Sequence, residues 1–294
     1  MKHMNEQTKD EVRSTVRDHY AKVAQGGGSC APGCCGTSTN ADFSLRLGYS
    51  AEDLAAVPEG ANMGLGCGNP QALAALRPGE TVLDLGSGGG FDCFLAARQV
   101  GPQGHVIGVD MTAEMIAKAR ANARKLDATT VEFRLGEIEH LPVADGSVDA
   151  ILSNCVINLS PDKAQVFREA LRVLRPGGRL AISDVVTIAE LPPALRASAE
   201  ALSGCIAGAR SAAEVEAMLV EAGFVDVSVS VRAESRAFIE GWAPGSHAED
   251  YIASATIEAR KPGGVREAAG SREAAREPGA SCCAPSCCGG ASAS

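Results

Sequence analysis

The sequence predicts a doubly wound α/β fold with a mostly parallel sheet. Apolar runs of strand length alternate with helical segments from residue 81 onward, and the first run turns through glycines into a helix. With 294 residues and 45% hydrophobic content, the chain can bury one substantial domain and carry extensions. We expect an N-terminal helix and cysteine-containing loops over residues 1–75, the α/β domain over 76–260, and a linker with a disordered cysteine-rich tail over 261–294.

The first predicted strand, 81–86, is an apolar run that suits a parallel strand covered on both faces. The turn that follows it reads G-x-G-x-G from Gly86 to Gly90. A dinucleotide fingerprint reads G-x-G-x-x-G and would have its third glycine where Phe91 stands. The turn therefore disfavours a pyrophosphate ligand.

Two acids near this turn indicate a different ligand. Asp84 lies two residues before the first glycine, where it would repel phosphate but can pair with an ammonium group. Asp110 ends the predicted strand 105–110, about twenty residues after the turn, where a carboxylate can accept both ribose hydroxyls. A nucleoside carrying an amino acid satisfies both acids, so the sequence predicts S-adenosylmethionine as the cofactor.

The predicted cofactor residues lie in this turn or follow the ends of parallel strands, where ligands bind in open α/β sheets. They are Asp84, Gly86, Ser87, Gly88, Gly90, Asp110, Met111, Glu137, Ile138 and Asn154.

The remaining elements of the domain follow from apolar periodicity and turn signals. Pro176-Gly177-Gly178 predicts a break before the fifth strand, and the last two strands would add an antiparallel edge. Strands are expected at 131–136, 148–154, 179–186, 224–232 and 251–260, and helices at 91–100, 112–126, 162–174, 194–208 and 211–222.

The N-terminal region predicts a helix over 6–23 that could lie across the cofactor, because its apolar residues share one face. The stretch 26–36 is too rich in glycine and cysteine for regular structure, and 43–57 suggests a short helical segment. A second glycine-rich loop, 62–70, carries Cys67, which we expect to reach over the site.

Charge and hydropathy exclude several classes of protein. The net charge of -9 argues against nucleic acid or an anionic membrane as the main partner, since either needs a basic face. The sequence contains no apolar run of membrane-spanning length and begins without a signal-peptide core. We therefore expect a cytoplasmic protein.

The eleven cysteines are too few for a disulfide scaffold. Structural zinc would prefer paired C-x-x-C knuckles, which the well-separated Cys67, Cys155 and Cys205 do not form, so no structural metal is predicted. Cys93, inside an apolar helix, is interpreted as a core residue. The motif C-A-P-x-C-C-G occurs twice, at 30–36 and 283–289.

Three cysteines stand where a site role is favoured. Cys155 follows the fourth predicted strand, Cys205 lies among small residues where an acceptor lid would hang, and Cys67 lies between glycines. Adjacent pairs such as Cys34-Cys35 suit thiol exchange or a thiophilic metalloid, because thiolates select soft acceptors.

Five motifs together resemble the arsenite methyltransferases, a family with the class I (Rossmann-like) methyltransferase fold, over roughly residues 10 to 260. They are G-C-G-N-P at 66–70, D-L-G-S-G-G-G-F-D at 84–92, G-V-D-M-T at 108–112, S-N-C-V-I-N-L at 153–159 and G-C-I-A-G-A at 204–209.

The resemblance implies a methyl transfer from S-adenosylmethionine to As(III) held by thiolates that include Cys155 and Cys205. We expect the sulfurs of Cys67, Cys155 and Cys205 to converge on one arsenic atom. The resemblance also implies that Cys67 joins an N-terminal cysteine, Cys34 or Cys35, in a disulfide that supplies two electrons between rounds. Arsenite and methylarsenite would be the substrates, and thioredoxin or glutathione the reductant. Thiolate-bound As(III) keeps a lone pair, so the reaction needs alignment rather than a general base.

Two other functions remain open from the residues alone. The chain could methylate carbon or oxygen of a small molecule, with incidental cysteines, or it could sequester metalloids with its thiols. Turnover that survives replacement of Cys67, Cys155 and Cys205 together would support the first alternative. Arsenite binding without binding of S-adenosylmethionine would support the second.

Overall fold

The computed structural model describes residues 6–26, 40–241 and 246–263. Cys34, Cys35 and the cysteine-rich segment near the C-terminus lie outside the described residues, so the predictions about them stay predictions. The division at residues 75 and 260 also stays a prediction.

The strands in the described part of the chain form one sheet, in the order β3-β2-β1-β4-β5-β8-β7, with the short β6 beside β5. β1 to β6 pair in parallel, whereas β8 is antiparallel to β5 and β7 is antiparallel to β8. The strands are β1 Thr81–Leu85, β2 His105–Asp110, β3 Val131–Leu135, β4 Val148–Asn154, β5 Leu174–Thr187, β6 Arg210–Ser211, β7 Val225–Arg232 and β8 Ile252–Arg260.

The helices occupy the connections and the N-terminal region. Those of the N-terminal region are α1 Glu6–Ala24, α2 Asn40–Arg46, α3 Ala51–Ala55 and α4 Gln71–Ala74. Those of the α/β part are α5 Phe91–Val100, α6 Ala113–Lys125, α7 Lys163–Val173, α8 Pro193–Ala197, α9 Ala199–Ser203, α10 Ala212–Ala222 and α11 Arg236–Ile239.

Both faces of the sheet are covered, as the continuous apolar strands predicted. On one face Phe94 of α5 and Ile116 of α6 pack with Val82 of β1. On the other face Phe167 of α7 and Leu219 of α10 pack on the central strands. The doubly wound fold class and its antiparallel edge are therefore confirmed.

The fifth strand differs from its predicted range. It begins at Leu174 rather than at residue 179, because the chain stays in the sheet through the proline and glycines. Val148 pairs with Leu174 while Ala150 pairs with Arg179, so the extra residues form a bulge. The predicted break before the strand is thus an irregularity within it.

The helix predicted at 194–208 is wrong in its extent. The chain forms two short helices there, α8 and α9, and the second ends at Ser203. Cys205, just beyond it, has a φ of 64°, which is a left-handed conformation that no α-helix contains. The departure from helix places Cys205 in a turn at the carboxyl end of the sheet.

The N-terminal helix α1 lies against the carboxyl ends of the central strands. Tyr20 donates a hydrogen bond to the Ser203 carbonyl at 3.1 Å, and the Lys118 ammonium binds the Ala24 carbonyl at 2.9 Å. Val16 is fully buried in the cluster that also contains Leu159. The position agrees with the expectation that this helix crosses the site. Among the described residues, no helix combines the length and apolar character needed to cross a bilayer.

Candidate active site

A cavity opens where β1 and β4 lie side by side, with their onward connections on opposite sides of the sheet. Such a switch point is the ordinary ligand site of an open α/β sheet. The cavity contains about 1110 Å³ of empty space, its open mouth included. Its wall combines the glycine turn after β1, the ends of β2 and β4, the start of α6, and Arg13, Val16 and Tyr20 of α1.

The glycine turn brings backbone against the cavity. Gly86 has a φ of 70°, and a Cβ there would stand 2.5 Å from the side chain of Val156, so only glycine fits. The hydroxyl of Ser87 is buried and has no hydrogen-bond partner among the described residues. A buried hydroxyl without a partner at the cavity wall is suited to a polar ligand atom.

Asp110 lies at the end of β2 with its carboxylate fixed by backbone. Its two oxygens accept from the N–H groups of Gly88 at 3.0 Å and Thr112 at 2.8 Å. Burial raises the pKa of Asp110, while these two hydrogen bonds lower it. Each oxygen keeps a second lone pair, so the group can still accept two hydroxyls of a ribose.

Asp84 has a companion that the sequence analysis did not single out. Asp92, in the first turn of α5, also lines the cavity and accepts from the Tyr49 hydroxyl at 2.8 Å. Burial, followed by the charge of Asp92, raises the pKa of Asp84 well above its ordinary value. A cationic ligand would offset the cost of burying these two carboxylates, and the ammonium group of S-adenosylmethionine is such a cation.

Asn154, at the end of β4, uses its amide to fix another loop. Its Oδ1 accepts from the Cys67 N–H at 2.9 Å, and its Nδ2 lies 2.9 Å from the Gly68 carbonyl and 3.2 Å from Asp92. Asn154 lines the cavity, but these bonds occupy its polar atoms. Its place is therefore between the cofactor cavity and the loop that carries Cys67.

Cys67, Cys155 and Cys205 meet in one buried cluster at this end of the sheet. They are 1%, 8% and 2% exposed, respectively, and Cys155 also lines the cavity. The sulfurs of Cys67 and Cys155 and a carboxylate oxygen of Asp184 lie within 4.8 Å of one another. The Cys205 thiol lies against the same residue, with its sulfur 2.9 Å from the Cys155 backbone carbonyl oxygen. Cys155 is therefore the central cysteine and the one beside the cavity.

Backbone carbonyls accept hydrogen bonds from two of the three thiols. The Cys67 thiol donates to the Ser183 carbonyl at 3.2 Å, and the Cys205 thiol donates to the Cys155 carbonyl at 2.9 Å. Burial raises the pKa of Cys67 to about 11. The hydrogen bond with Cys155, followed by burial, raises the pKa of Cys205 well above its ordinary value. The ligand-free cluster is thus a set of neutral thiols at pH 7.

The sequence analysis missed Asp184 and Tyr20 as neighbours of this cluster. Asp184 lies in β5 and is 2% exposed, and burial raises its pKa to about 6. The sequence did contain a signal for Asp184, because it is a single acid inside the apolar run of a predicted strand. Burying a carboxylate there is costly unless it is hydrogen-bonded. Tyr20 lines the cavity from α1, at a position predicted only to belong to the apolar face of that helix.

Most of the predicted cofactor residues line the cavity, but two do not. Gly90 begins α5 with a φ of 92° and faces Phe94 and Phe133, whereas the Glu137 carboxylate lies 3.5 Å from both Arg13 and Arg17. Cys93 belongs to a different buried cluster from Cys67, Cys155 and Cys205, and its thiol donates to Asp84 at 3.2 Å. The residues that line the cavity are Asp84, Gly86, Ser87, Gly88, Asp110, Met111, Ile138 and Asn154.

Comparisons with known proteins agree with this geometry. A family model described as a methyltransferase domain matches residues 76–223. The arsenite methyltransferase of Halobacterium salinarum is 56% identical over 86% of this chain and 67% of its own length. The chain belongs to the arsenite methyltransferase family.

A second curated relative and a crystal structure are also similar to this chain. The arsenite methyltransferase of Aquipseudomonas alcaligenes is 41% identical over 73% of this chain, which spans 62% of that protein. An arsenic(III) S-adenosylmethionine methyltransferase of Chlamydomonas reinhardtii has a crystal structure that matches with a TM-score of 0.54 and 34% identity, over 75% of this chain and 73% of that one. The chain thus spans about two thirds of the length of the curated relatives named here.

A more distant structure shows the fold alone. The phosphoethanolamine N-methyltransferase 2 of Haemonchus contortus, in complex with S-adenosyl-L-methionine, matches with a TM-score of 0.56 and 22% identity, over 77% of this chain and 61% of that one. As a member of the arsenite methyltransferase family the chain is an S-adenosylmethionine-dependent methyltransferase. The predictions of family, fold class, enzyme class and cofactor are confirmed.

Proposed function

We propose that this arsenite methyltransferase family member transfers methyl groups from S-adenosylmethionine to trivalent arsenic bound by Cys67, Cys155 and Cys205. The observation that supports the proposal is the position of Cys155, which lines the cofactor cavity. Its sulfur lies within 4.8 Å of the Cys67 sulfur, and its carbonyl accepts a hydrogen bond from the Cys205 thiol. An arsenic atom on this cysteine would face the cofactor rather than bulk solvent.

Arsenite can bind to neutral thiols without an external base to remove their protons. Each thiol displaces one hydroxide of As(OH)₃, and its proton leaves with that hydroxide as water. Three sulfur–arsenic bonds form, three arsenic–oxygen bonds break, and three waters are released. The raised pKa values of the thiols are therefore compatible with binding, because thiol and hydroxide exchange their proton within the site.

The residues around the cavity would then hold the cofactor. Asp84 and Asp92 suit its ammonium group, and Asp110 suits its ribose hydroxyls. When bound, S-adenosylmethionine supplies an electrophilic methyl group that needs no activation by a base. The contribution of the chain is alignment, because three-coordinate arsenic on Cys155 would present its lone pair to the cavity.

Repeated transfer requires a reductant. Each methyl transfer raises arsenic from As(III) to As(V), and two electrons must return before the next transfer. Cys34 or Cys35 then attacks the arsenic-bound sulfur of Cys67, so that an S–S bond forms and the S–As bond breaks. The electron pair of that bond stays on arsenic, which returns to As(III), and the attacking thiol releases one proton. A thioredoxin-like protein or glutathione would then reopen the disulfide by thiol exchange. Arsenite and methylarsenite are the proposed substrates.

The proposal is tested with the full chain, S-adenosylmethionine, arsenite and a dithiol, by chromatography of the methylated products. We expect Cys155→Ser and Cys205→Ser to lower arsenite affinity at least about tenfold, since each removes a soft ligand. Cys93→Ser is the matched control, because Cys93 lies apart from the cluster and serine keeps a donor for Asp84; its arsenite affinity should stay unchanged. Normal methylation by Cys155→Ser would refute the role of that residue.

The same variants distinguish the alternative functions. Turnover of an organic acceptor that survives replacement of all three cysteines would indicate a carbon or oxygen methyltransferase. Arsenite binding without binding of S-adenosylmethionine would indicate sequestration. A cytoplasmic location, and the expectation that neither nucleic acid nor a membrane is a partner, stay predictions.

A further inference from the structure

Asp184 lies beside the cysteine cluster yet outside the cofactor cavity wall. It belongs to β5, is 2% exposed, and has a carboxylate oxygen within 4.8 Å of the sulfurs of Cys67 and Cys155. A buried acid so close to two of the three thiols suggests that it is a further ligand of arsenic. Its hydrogen bonds argue against that.

Both carboxylate oxygens of Asp184 are engaged by N–H groups. Oδ2 accepts from the backbone of Ile157 at 2.9 Å and of Asn158 at 3.3 Å. Oδ1 accepts from the Asn158 side chain at 2.8 Å and from the backbone of Val185 at 2.8 Å. A carboxylate has about four acceptor positions, so none is left for a metalloid.

Three of these donors belong to the turn that follows Cys155. Cys155 has a φ of 58°, a left-handed conformation that a residue with a side chain adopts only when its surroundings hold it. Its own N–H donates to the Ser183 carbonyl at 2.8 Å. Neighbouring residues of β5 therefore hold the Cys155 turn at both of its ends.

Asn158 extends this support to the segment that carries Cys205. Gly208 lies so close to it that a Cβ on Gly208 would stand 2.0 Å from the Asn158 carbonyl oxygen. The same carbonyl accepts from Lys163 at 3.3 Å. A shift of Asn158 would therefore move the Cys205 segment relative to Cys155.

We propose that Asp184 is a positioning residue of the arsenic site. By binding the N–H groups of Ile157 and Asn158 it sets the spacing of the Cys155 and Cys205 sulfurs, and it does not bind arsenic itself. This inference rests on the proposed function and adds the device that gathers the thiols. It predicts that three-sulfur coordination depends on a carboxylate that never contacts the substrate.

Asp184→Asn tests the inference with a side chain of the same size. Whichever way the amide is turned, its NH₂ group faces two of the N–H donors, so the turn must shift. We expect arsenite affinity to fall at least about tenfold. The number of sulfurs around arsenic, measured by X-ray absorption, should fall from three to two. Affinity for S-adenosylmethionine should stay within about twofold of wild type, which also reports that the variant is folded.

Two further variants make the result decisive. Asn158→Ala keeps the backbone donor but removes the side-chain bonds to Asp184 and to the Val185 carbonyl, and it should also lower the sulfur count. It decides the question if Asp184→Asn does not fold. Asp149→Asn is the matched control, because that carboxylate accepts from the Thr81 N–H at the opposite end of the sheet.

The two proposals fail in different ways. If the wild-type chain does not bind arsenite through sulfur, the proposed function is wrong. If wild type binds arsenite through three sulfurs and Asp184→Asn does so with equal affinity, only the role of Asp184 is wrong.

Discussion

The side-chain oxygen of Asn154 accepts a hydrogen bond from the backbone N–H of Cys67 at 2.9 Å, across 87 residues of chain. Asn154 directly precedes Cys155, so one amide ties two of the three cysteine segments together. The same residue reaches the Gly68 carbonyl and Asp92, which links the cysteine cluster to the cofactor cavity.

Replacing Asn154 with leucine should weaken both ligands. The change leaves the Cys67 N–H and the Gly68 carbonyl without their partner, which costs about 1–3 kcal/mol, or roughly five- to 150-fold in affinity. Arsenite and S-adenosylmethionine binding, measured separately by calorimetry, should both fall. Asn69→Ala is the control, since Asn69 caps the same loop without contacting Asn154. Wild-type arsenite affinity in Asn154→Leu would contradict the bridging role.

Asp110→Asn should weaken S-adenosylmethionine alone. An amide replaces one of the two oxygens that suit the ribose, and the loss of a hydrogen bond to a charged group predicts a roughly tenfold or greater rise in the dissociation constant. Arsenite affinity in the absence of cofactor should not change. Glu137→Gln provides a comparison, because Glu137 lies outside the cavity wall. A larger effect of Glu137→Gln than of Asp110→Asn would reverse the assignment.

Arsenite binding should release almost no protons between about pH 6 and 8.5, because all reactants are neutral while the thiols stay protonated. Burial holds the pKa of Cys67 at about 11, above this range. Ionised thiols would give a different pH dependence. Each thiolate would release hydroxide when it binds arsenic, so arsenite affinity would fall as pH rises. Calorimetry in buffers of different ionisation enthalpy measures the number of protons exchanged on binding. Uptake of one full proton from the buffer for each thiol would exclude the neutral-thiol route.

Gly208→Ala should separate the Cys205 segment from the Cys155 turn. The new Cβ would stand 2.0 Å from the Asn158 carbonyl oxygen, which is a backbone atom that cannot move aside cheaply. We expect arsenite affinity to fall about tenfold or more, with S-adenosylmethionine affinity retained. Gly263→Ala is the matched control, because a Cβ there meets no atom of the described residues within 4 Å. Equal arsenite affinity in the two variants would show that Gly208 does not set the spacing.

The sequence predicted β1, β2 and β4 well because each is an apolar run bounded by turn residues. β2, for example, has its predicted bounds, and β1 differs by one residue. The strand positions also led us to expect that Cys155 lies near the cofactor, since ligands of such sheets gather at the carboxyl ends. The expectation for Cys67 came from its glycine-rich loop. Whether these thiols bind arsenic stays a prediction until it is measured.

The details that sequence reasoning missed depend on long-range contacts. In the sequence, Asp184 is a single polar residue within a buried strand. No local signal shows that its hydrogen-bond donors, Ile157 and Asn158, lie in the turn after β4. Asp92 reads as an acid in the first turn of a helix, a common position that needs no ligand. The end of helix α9 before Cys205 also escaped prediction, although Gly204 and Gly208 are poor helix formers and were a local signal for it. The left-handed φ falls on Cys205 itself, a residue type that rarely adopts it.

The left-handed backbone at Cys155 and Cys205 limits how this chemistry could be transplanted. Such a conformation costs a residue with a side chain ~1–2 kcal/mol, which the surrounding scaffold has to supply. A designer who grafted three cysteines onto another methyltransferase would copy the elements but not their orientation, and the sulfurs would diverge. Engineering arsenic chemistry into a new host therefore means importing the two turns together with the buried acid that braces them.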